Sequence, residues 1–307
     1  MERISFARKL YFISVMSFLI FTNAYSQSYK NLLFDQDSLK LISSQFKFTE
    51  GPAADHKGNV FFTDQPNNEI WKYDVNGKLS LFTSKAGRAN GTYFDKKGNL
   101  IVCADENNEL WSIDKNGIST TIYRNPKGNE LNGPNDLWID KKGGIYFTDP
   151  YYQRDYWTRK SPAIVGEKVY YIKPGQKDIL RPLVVEDSLI RPNGIIGTAD
   201  GRVLYVADAK AGKTYKYTIK PDGTLINRTL FINRGSDGMT LDNLGNLYLT
   251  GQGVFIYSAD GKQVGHIRVP ENHTANVCFG GKKRNILFIT ASKSIYILPM
   301  QVKGMKN

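Results

Sequence analysis

The sequence predicts an all-β chain folded as a six-bladed β-propeller, with an N-terminal strand closing the last blade. Three observations carry this. A self-similar unit recurs six times, helical periodicity is nearly absent, and the last unit is one strand short. The units read "TEGPAADHKGNVFFTDQPNNEIWKYDVNG", "ANGTYFDKKGNLIVCADENNELWSIDKNG", "PNDLWIDKKGGIYFTDP", "PNGIIGTADGRVLYVADAKAGKTYKYTIKPDG", "SDGMTLDNLGNLYLTGQGVFIYSADG" and "ANVCFGGKKRNILFITASKSIYIL". Their leading polar residues are Glu50, Asn90, Asn135, Asn193, Asp237 and Asn276, spaced 40, 45, 58, 44 and 39 residues apart. A period of about 40–45 residues holding several short strands is the signature of propeller blades. A β-sandwich, the rival reading, shows no sixfold repeat.

Residues 1–26 read as a secretory signal peptide. Arg3, Arg8 and Lys9 precede the apolar run "LYFISVMSFLIF", and Ala24 and Ser26 stand at positions −3 and −1 of a cut before Gln27. The run is short for a membrane span, and no Cys follows it for lipid attachment. An uncleaved anchor is the competing reading. The expectation is an exported chain, periplasmic or secreted, with residues 27–307 forming one propeller domain and no stable membrane insertion after processing.

The segment "SLKLISSQF" is an alternating strand with no hairpin partner nearby. Pairing it with the short sixth unit closes the ring and protects a sheet edge. Within the units, Asp-x-x-Gly turns supply the positive φ that a tight hairpin needs. The long third interval contains "YYQRDYWTRKSPAIVGEK", an insertion rich in aromatic and charged residues.

The net charge is +12, and removing Arg3, Arg8, Lys9 and Glu2 with the signal peptide leaves +10. The cations are scattered through turns such as "DKKGN", "DKKGG" and "GGKKRN". They read chiefly as solvated turns, with contact to an anionic cell envelope as the minor alternative. Nucleic acid is not an expected partner of an exported chain. Cys103 and Cys278 sit in apolar runs and read as buried free thiols rather than a bridge.

In a propeller the innermost strands line the axis, so the six leading residues ring one end of it. Two carboxylates and several amides converging there make an oxygen-only site suited to Ca²⁺, Mg²⁺ or Mn²⁺. A zinc site rich in His and Cys is disfavoured, because none of His56, His266 and His273 leads a repeat; zinc held through oxygens stays open. His56 reads as a surface-turn residue and His273 as one near the mouth. The plain alternative is that Asn and Asp at these places only form turns. It is weakest for Glu50, Asn135, Asn193 and Asp237, and stronger for Asn90 and Asn276. No nucleophile elbow, phosphate loop or dinucleotide fingerprint appears.

The stretches "TEGP", "ANGTYFDKKGNLIVCADENNELW", "GPNDLWIDKKGGIYFTDPYY", "RPNGIIGTADGRVLYVADA", "SDGMTLDNLGNLYLT" and "NVCFGGKKRNILFITASKSIYIL", taken in order, resemble the senescence marker protein/gluconolactonase/luciferin-regenerating enzyme family, most nearly its gluconolactonase branch. The resemblance covers roughly residues 45–297. It implies a propeller with one divalent cation at the channel mouth, usually calcium, held by Glu50, Asn193 and Asp237. Asn135 would coordinate or contact substrate, and Asn90 would line the pocket. The activity implied is hydrolysis of a sugar-derived lactone, with Asp237 activating water and Asp136 bracing a turn. A non-catalytic, metal-dependent sugar-binding propeller and another ester or phosphotriester hydrolase are the alternatives. "TGQGVFIYS" and the insertion after Tyr152 depart from the family pattern, at places where specificity would be set.

Overall fold

The computed structural model describes residues 33–124, 131–176 and 181–305. The expected signal peptide lies outside the described residues. The chain forms six four-stranded antiparallel sheets arranged as a six-bladed propeller.

β1 (Lys40–Ser43) precedes the first blade. Blade 1 is β2 (Thr49–Ala54), β3 (Val60–Asp64), β4 (Glu69–Tyr73) and β5 (Leu79–Thr83). Blade 2 is β6 (Ala89–Phe94), β7 (Leu100–Ala104), β8 (Glu109–Ile113) and β9 (Ser119–Tyr123). Blade 3 is β10 (Leu137–Ile139), β11 (Ile145–Asp149), β12 (Lys168–Ile172) and β13 (Leu183–Glu186). Blade 4 is β14 (Pro192–Gly197), β15 (Val203–Asp208), β16 (Lys213–Ile219) and β17 (Leu225–Ile232). Blade 5 is β18 (Met239–Leu241), β19 (Leu247–Gly251), β20 (Gly253–Tyr257) and β21 (Gln263–Ile267). Blade 6 is β22 (Thr274–Gly280), β23 (Ile286–Ala291) and β24 (Ser294–Pro299), completed by β1.

That closure is the one expected from the unpaired segment: Lys40 faces Ile297 and Leu41 faces Tyr296 across an antiparallel pair. Phe34 adds an isolated bridge to Met300.

Burial follows position in the blade. Second strands such as "VFFTD" and "IYFTD" are buried at every residue, whereas β17 exposes five consecutive side chains. Second strands are covered on both faces by neighbouring blades, so they read as continuous apolar runs rather than alternating ones. The cores accordingly lie between blades. Phe61 of blade 1 packs with Leu100 and Val102 of blade 2, and Trp138 of blade 3 with Ile195 and Leu204 of blade 4.

One kind of glycine closes the turn at the far end of the inner strand in five of the six blades, and a second follows the leading residue in four of the six. Gly58, at φ +90°, closes the Asp55 turn by donating its N–H to the Asp55 carbonyl (3.0 Å). Gly51, which follows Glu50, has φ +46°, and a Cβ there would lie 2.0 Å from the Asn90 carbonyl oxygen. The glycine after a leading residue therefore marks neighbouring inner strands converging on the axis, inside a strand rather than in a turn. Cys103 and Cys278 are both free and buried. Among the described residues no helix is long and apolar enough to cross a membrane.

Candidate active site

The six inner strands start at one end of the axis, and their leading residues meet there. Glu50, on β2, is 2 % exposed. Its Oε2 accepts the Gly51 N–H (2.6 Å) and the Nδ2 of Asn276 on β22 (3.1 Å). Asn276 Nδ2 also donates to Asp136 Oδ2 (3.3 Å), while Asn276 Oδ1 accepts the Val277 N–H (2.8 Å). Across the ring, Asn193 on β14 donates Nδ2 to Asp237 Oδ1 (2.7 Å). Asn90 and Asn135 are buried, and their backbones are joined to their neighbours': Asn90 O accepts the Thr63 hydroxyl and Asn135 O the Gly91 N–H.

The electrostatics are those of a place with too much negative charge. Burial holds the Glu50 carboxyl well above the usual carboxylate range, and the charges of Asp237 and Asp136 push it further. Burial likewise lifts Asp136 to about 7, with Asp237 adding to the effect. Two amide oxygens, Asn193 Oδ1 and Asn90 Oδ1, are buried with no hydrogen-bond partner among the described residues. Two buried carboxyls, the partly exposed Asp237 and two unpartnered carbonyl oxygens form a donor-poor arrangement that a hard cation would satisfy. Among the described residues, no three His, Cys, Asp or Glu side chains are grouped to hold a metal. A cation here would therefore depend on amide oxygens beside Glu50 and Asp237. Asn276 does not fit as a ligand, since its oxygen serves its own strand and its nitrogen separates two carboxyls.

The structure also brings together residues that the repeat did not assign. His273 places Nε2 2.8 Å from Asp237 Oδ2 and stacks on Phe48, and the hydrogen bond to Asp237 raises its pKa. Asp136 braces its own backbone as expected, with Oδ1 accepting the Leu137 N–H (2.9 Å), yet its other oxygen belongs to the carboxyl cluster. The insertion between β11 and β12 reaches the same place. The Tyr152 hydroxyl accepts from Asn193 Nδ2 (3.0 Å), beneath the Arg191 guanidinium, which lies 4.9 Å from its ring. Arg154 Nε and Tyr156 Oη donate to Asp105 Oδ2 at 2.7 and 2.6 Å, and the Trp157 indole N–H donates to the Asp105 carbonyl.

Asp105 had a signal in the sequence. "FFTD", "VCAD", "YFTD" and "YVAD" all place an Asp at or just past the end of the second strand. Asp64, Asp149 and Asp208 use it to accept backbone N–H groups from the segment entering the inner strand. Asp105 instead takes side chains from Gln65 and the insertion. Below the ring the axis holds a cavity of about 550 Å³, lined by Thr92, Asp136, Trp138, Ile195, Met239 and Asn276 among others.

A family model described as the SMP-30/Gluconolactonase/LRE-like region matches residues 48–293. A gluconolactonase from Zymomonas mobilis subsp. mobilis is 29 % identical over 292 residues, covering 84 % of this chain and 80 % of its own. Among solved structures, a gluconolactonase from Xanthomonas campestris superposes with TM-score 0.78 at 25 % identity, covering 85 % of this chain and 89 % of its own. A calcium-binding protein, regucalcin, from Agrobacterium tumefaciens superposes with TM-score 0.72 at 18 % identity, covering 86 % and 94 %, which carries the fold alone.

Proposed function

The chain belongs to the SMP-30/gluconolactonase/LRE-like family, and from that premise we propose that it hydrolyses a sugar-derived lactone with the help of one divalent cation at the axis. The relatives support lactone hydrolysis. The observation that supports the rest is the ring itself: Glu50 and Asp136 are buried, the charge of Asp237 acts on both, and Asn193 Oδ1 beside it is unpartnered. Glu50, Asn193 and Asp237 would hold the ion, with Asn135 as a further oxygen donor. Oxygen ligands favour Ca²⁺, with Mg²⁺, Mn²⁺ or oxygen-bound Zn²⁺ as alternatives. Such an ion supplies Lewis-acid polarisation of the lactone carbonyl.

The side chains define the remaining work. Asp237 accepts the proton of the attacking water and later delivers it to the ring oxygen that leaves. The new bond joins the water oxygen to the acyl carbon, the acyl–ring oxygen bond breaks, and an open hydroxy acid results. His273, hydrogen-bonded to Asp237 Oδ2, fixes the orientation of that carboxylate. The Asn90 and Asn135 amides bind the lactone or its hydroxyls. The mouth is rimmed by Tyr152, Arg154 and Arg191, polar groups suited to a hydroxylated substrate rather than an apolar ester.

Acid release from glucono-1,5-lactone and a panel of sugar lactones, with and without chelator, tests this. Turnover should appear on at least one lactone, vanish on chelation and return with added calcium. Asp237→Ala should lower kcat by at least about a thousandfold with the fold intact. No turnover on any lactone would remove the hydrolase reading; full turnover after complete cation removal would remove the ion. Export belongs to the same proposal: protein recovered outside the cytoplasm should begin at Gln27, as N-terminal sequencing would show.

A further inference from the structure

We propose that the propeller face opposite the candidate active site docks on an anionic lipid surface. The hairpins joining first and second strands all turn on that face, and they carry exposed cations: Lys57, Lys96, Lys141, Lys282 and Lys283, joined by Lys303 from the C-terminal segment. Contacts join neighbouring turns in pairs. Gly281 donates its N–H to Gly58 O (2.8 Å), Lys96 Nζ bonds Lys141 O, and the Lys303 N–H bonds Asn243 Oδ1 (2.8 Å).

None of the six lysines enters an ion pair among the described residues, whereas Arg88, Arg154 and Arg191 at the other mouth each have a carboxylate partner. The carboxylates of the lysine face are either paired or turned inward: exposed Asp200, Asp222 and Asp260 lie beside Arg202, Lys220 and Lys262 (3.6, 3.8 and 2.9 Å), and others cap their own turns. Asp55 Oδ1 accepts the Lys57 and Asn59 N–H groups, and Asp242 is buried with both oxygens occupied by Leu244, Asn246 and Tyr248. Beyond these ion pairs and turn caps, the charge that the face leaves free is positive.

An apolar side chain stands in the same ring. Leu244, at the tip of the turn between β18 and β19, is 62 % exposed beside the Asn243–Lys303 contact. Cations spread around a rim with a projecting leucine match an interface of fixed negative charge over hydrocarbon, not a single soluble anion. Docked this way, the mouth holding Asp237 points away from the surface and stays open to solute. The inference stands on charge and exposure alone and does not rest on the proposed hydrolysis.

Sedimentation of the purified protein with vesicles of phosphatidylcholine, alone or mixed with phosphatidylglycerol, tests it. Binding should need phosphatidylglycerol. It should be lost when ionic strength rises from about 0.1 M to about 1 M, which shortens the screening length from about 10 to about 3 Å. Lys282→Gln/Lys283→Gln should weaken it roughly 25-fold, at about fivefold per lysine, and Leu244→Ser should weaken it independently, with thermal stability unchanged in both. Three results would overturn the proposal. The first is no binding to the charged vesicles. The second is binding that both variants and high salt leave intact, as an apolar N-terminal segment would give. The third is binding to a soluble anionic polysaccharide with none to vesicles.

Discussion

Single residues show how strongly this fold tolerates buried carboxyls. Asp149 is fully buried at the end of β11 and accepts the Asn132 and Gly133 N–H groups at 2.9 and 2.8 Å. Burial still lifts its pKa to about 7, outweighing those hydrogen bonds. In the unfolded chain the group titrates near the ordinary value of about 3.9. Between the two values the folded state keeps a proton that the unfolded state has released. Its stabilising contribution is thus complete below about pH 4, shrinks as pH rises, and levels off above about pH 7. Asp149→Asn removes the titration. The unfolding free energy of the native protein minus that of Asp149→Asn should therefore fall from about pH 4 to about pH 7, measured by urea denaturation. A difference that stays level above about pH 5 would mean the carboxylate is ionised throughout. Residue type was legible here, since "YFTDP" repeats "FFTDQ", but the partner was not. Glu50, Asn193 and Asp237 were legible for a different reason: the repeat puts them in register, and register in a propeller is position on the axis. Asp136 shares that register one step on, and only the converging strands reveal that it faces two other carboxyls.

Elements that break the repeat carry what the sequence left hidden. The insertion between β11 and β12 has no periodicity to place it, so nothing in its letters aims Tyr152 at Asn193 or Arg154 at Asp105. Its position is set by a few polar anchors from other blades. Asp105, 1 % exposed at the end of blade 2's second strand, gathers Gln65, Arg154 and Tyr156 on one oxygen. Burial raises its pKa while Arg154 and Tyr156 lower it, so the ion pair opposes a real desolvation cost. Asp105→Asn keeps the size and removes the charge that orders Arg154 at the mouth. For the lactone that proves to be the substrate, KM should rise about tenfold, with kcat within about twofold, because binding groups lose their placement while Asp237 and His273 keep theirs. Equal losses in kcat and kcat/KM would instead couple the insertion to the chemical step. A change confined to thermal stability would leave it a structural cover.

At the scale of the whole molecule, the ring is held by its two ends meeting in blade 6. Blade number and closure were both legible, because a period counts blades and an unpaired strand at each end asks for the other. The hydrophobic latch that supports closure was not, since it lies before the first repeat. Leu33 and Phe34, each 4 % exposed, pack with Val254, Ile256 and Leu298, joining the N-terminal segment to blades 5 and 6. Phe34→Ala should cost about 3–5 kcal/mol, the usual range for emptying a buried phenylalanine site. The more telling result is where the loss is felt. Three of the four tryptophans lie away from blade 6, Trp111 and Trp138 in blades 2 and 3 and Trp157 in the insertion, whereas Trp71 packs on Phe46 against blade 6. Each hydrophobic cluster joins side chains of adjacent blades, so a loosened ring should unfold as one unit. In a Trp71→Phe background, tryptophan fluorescence and far-ultraviolet circular dichroism should then shift to lower denaturant together on adding Phe34→Ala. If the fluorescence midpoint stayed at its native value while the dichroism moved, blade 6 would be opening alone and the terminal strand would be a local patch rather than the closure of the ring.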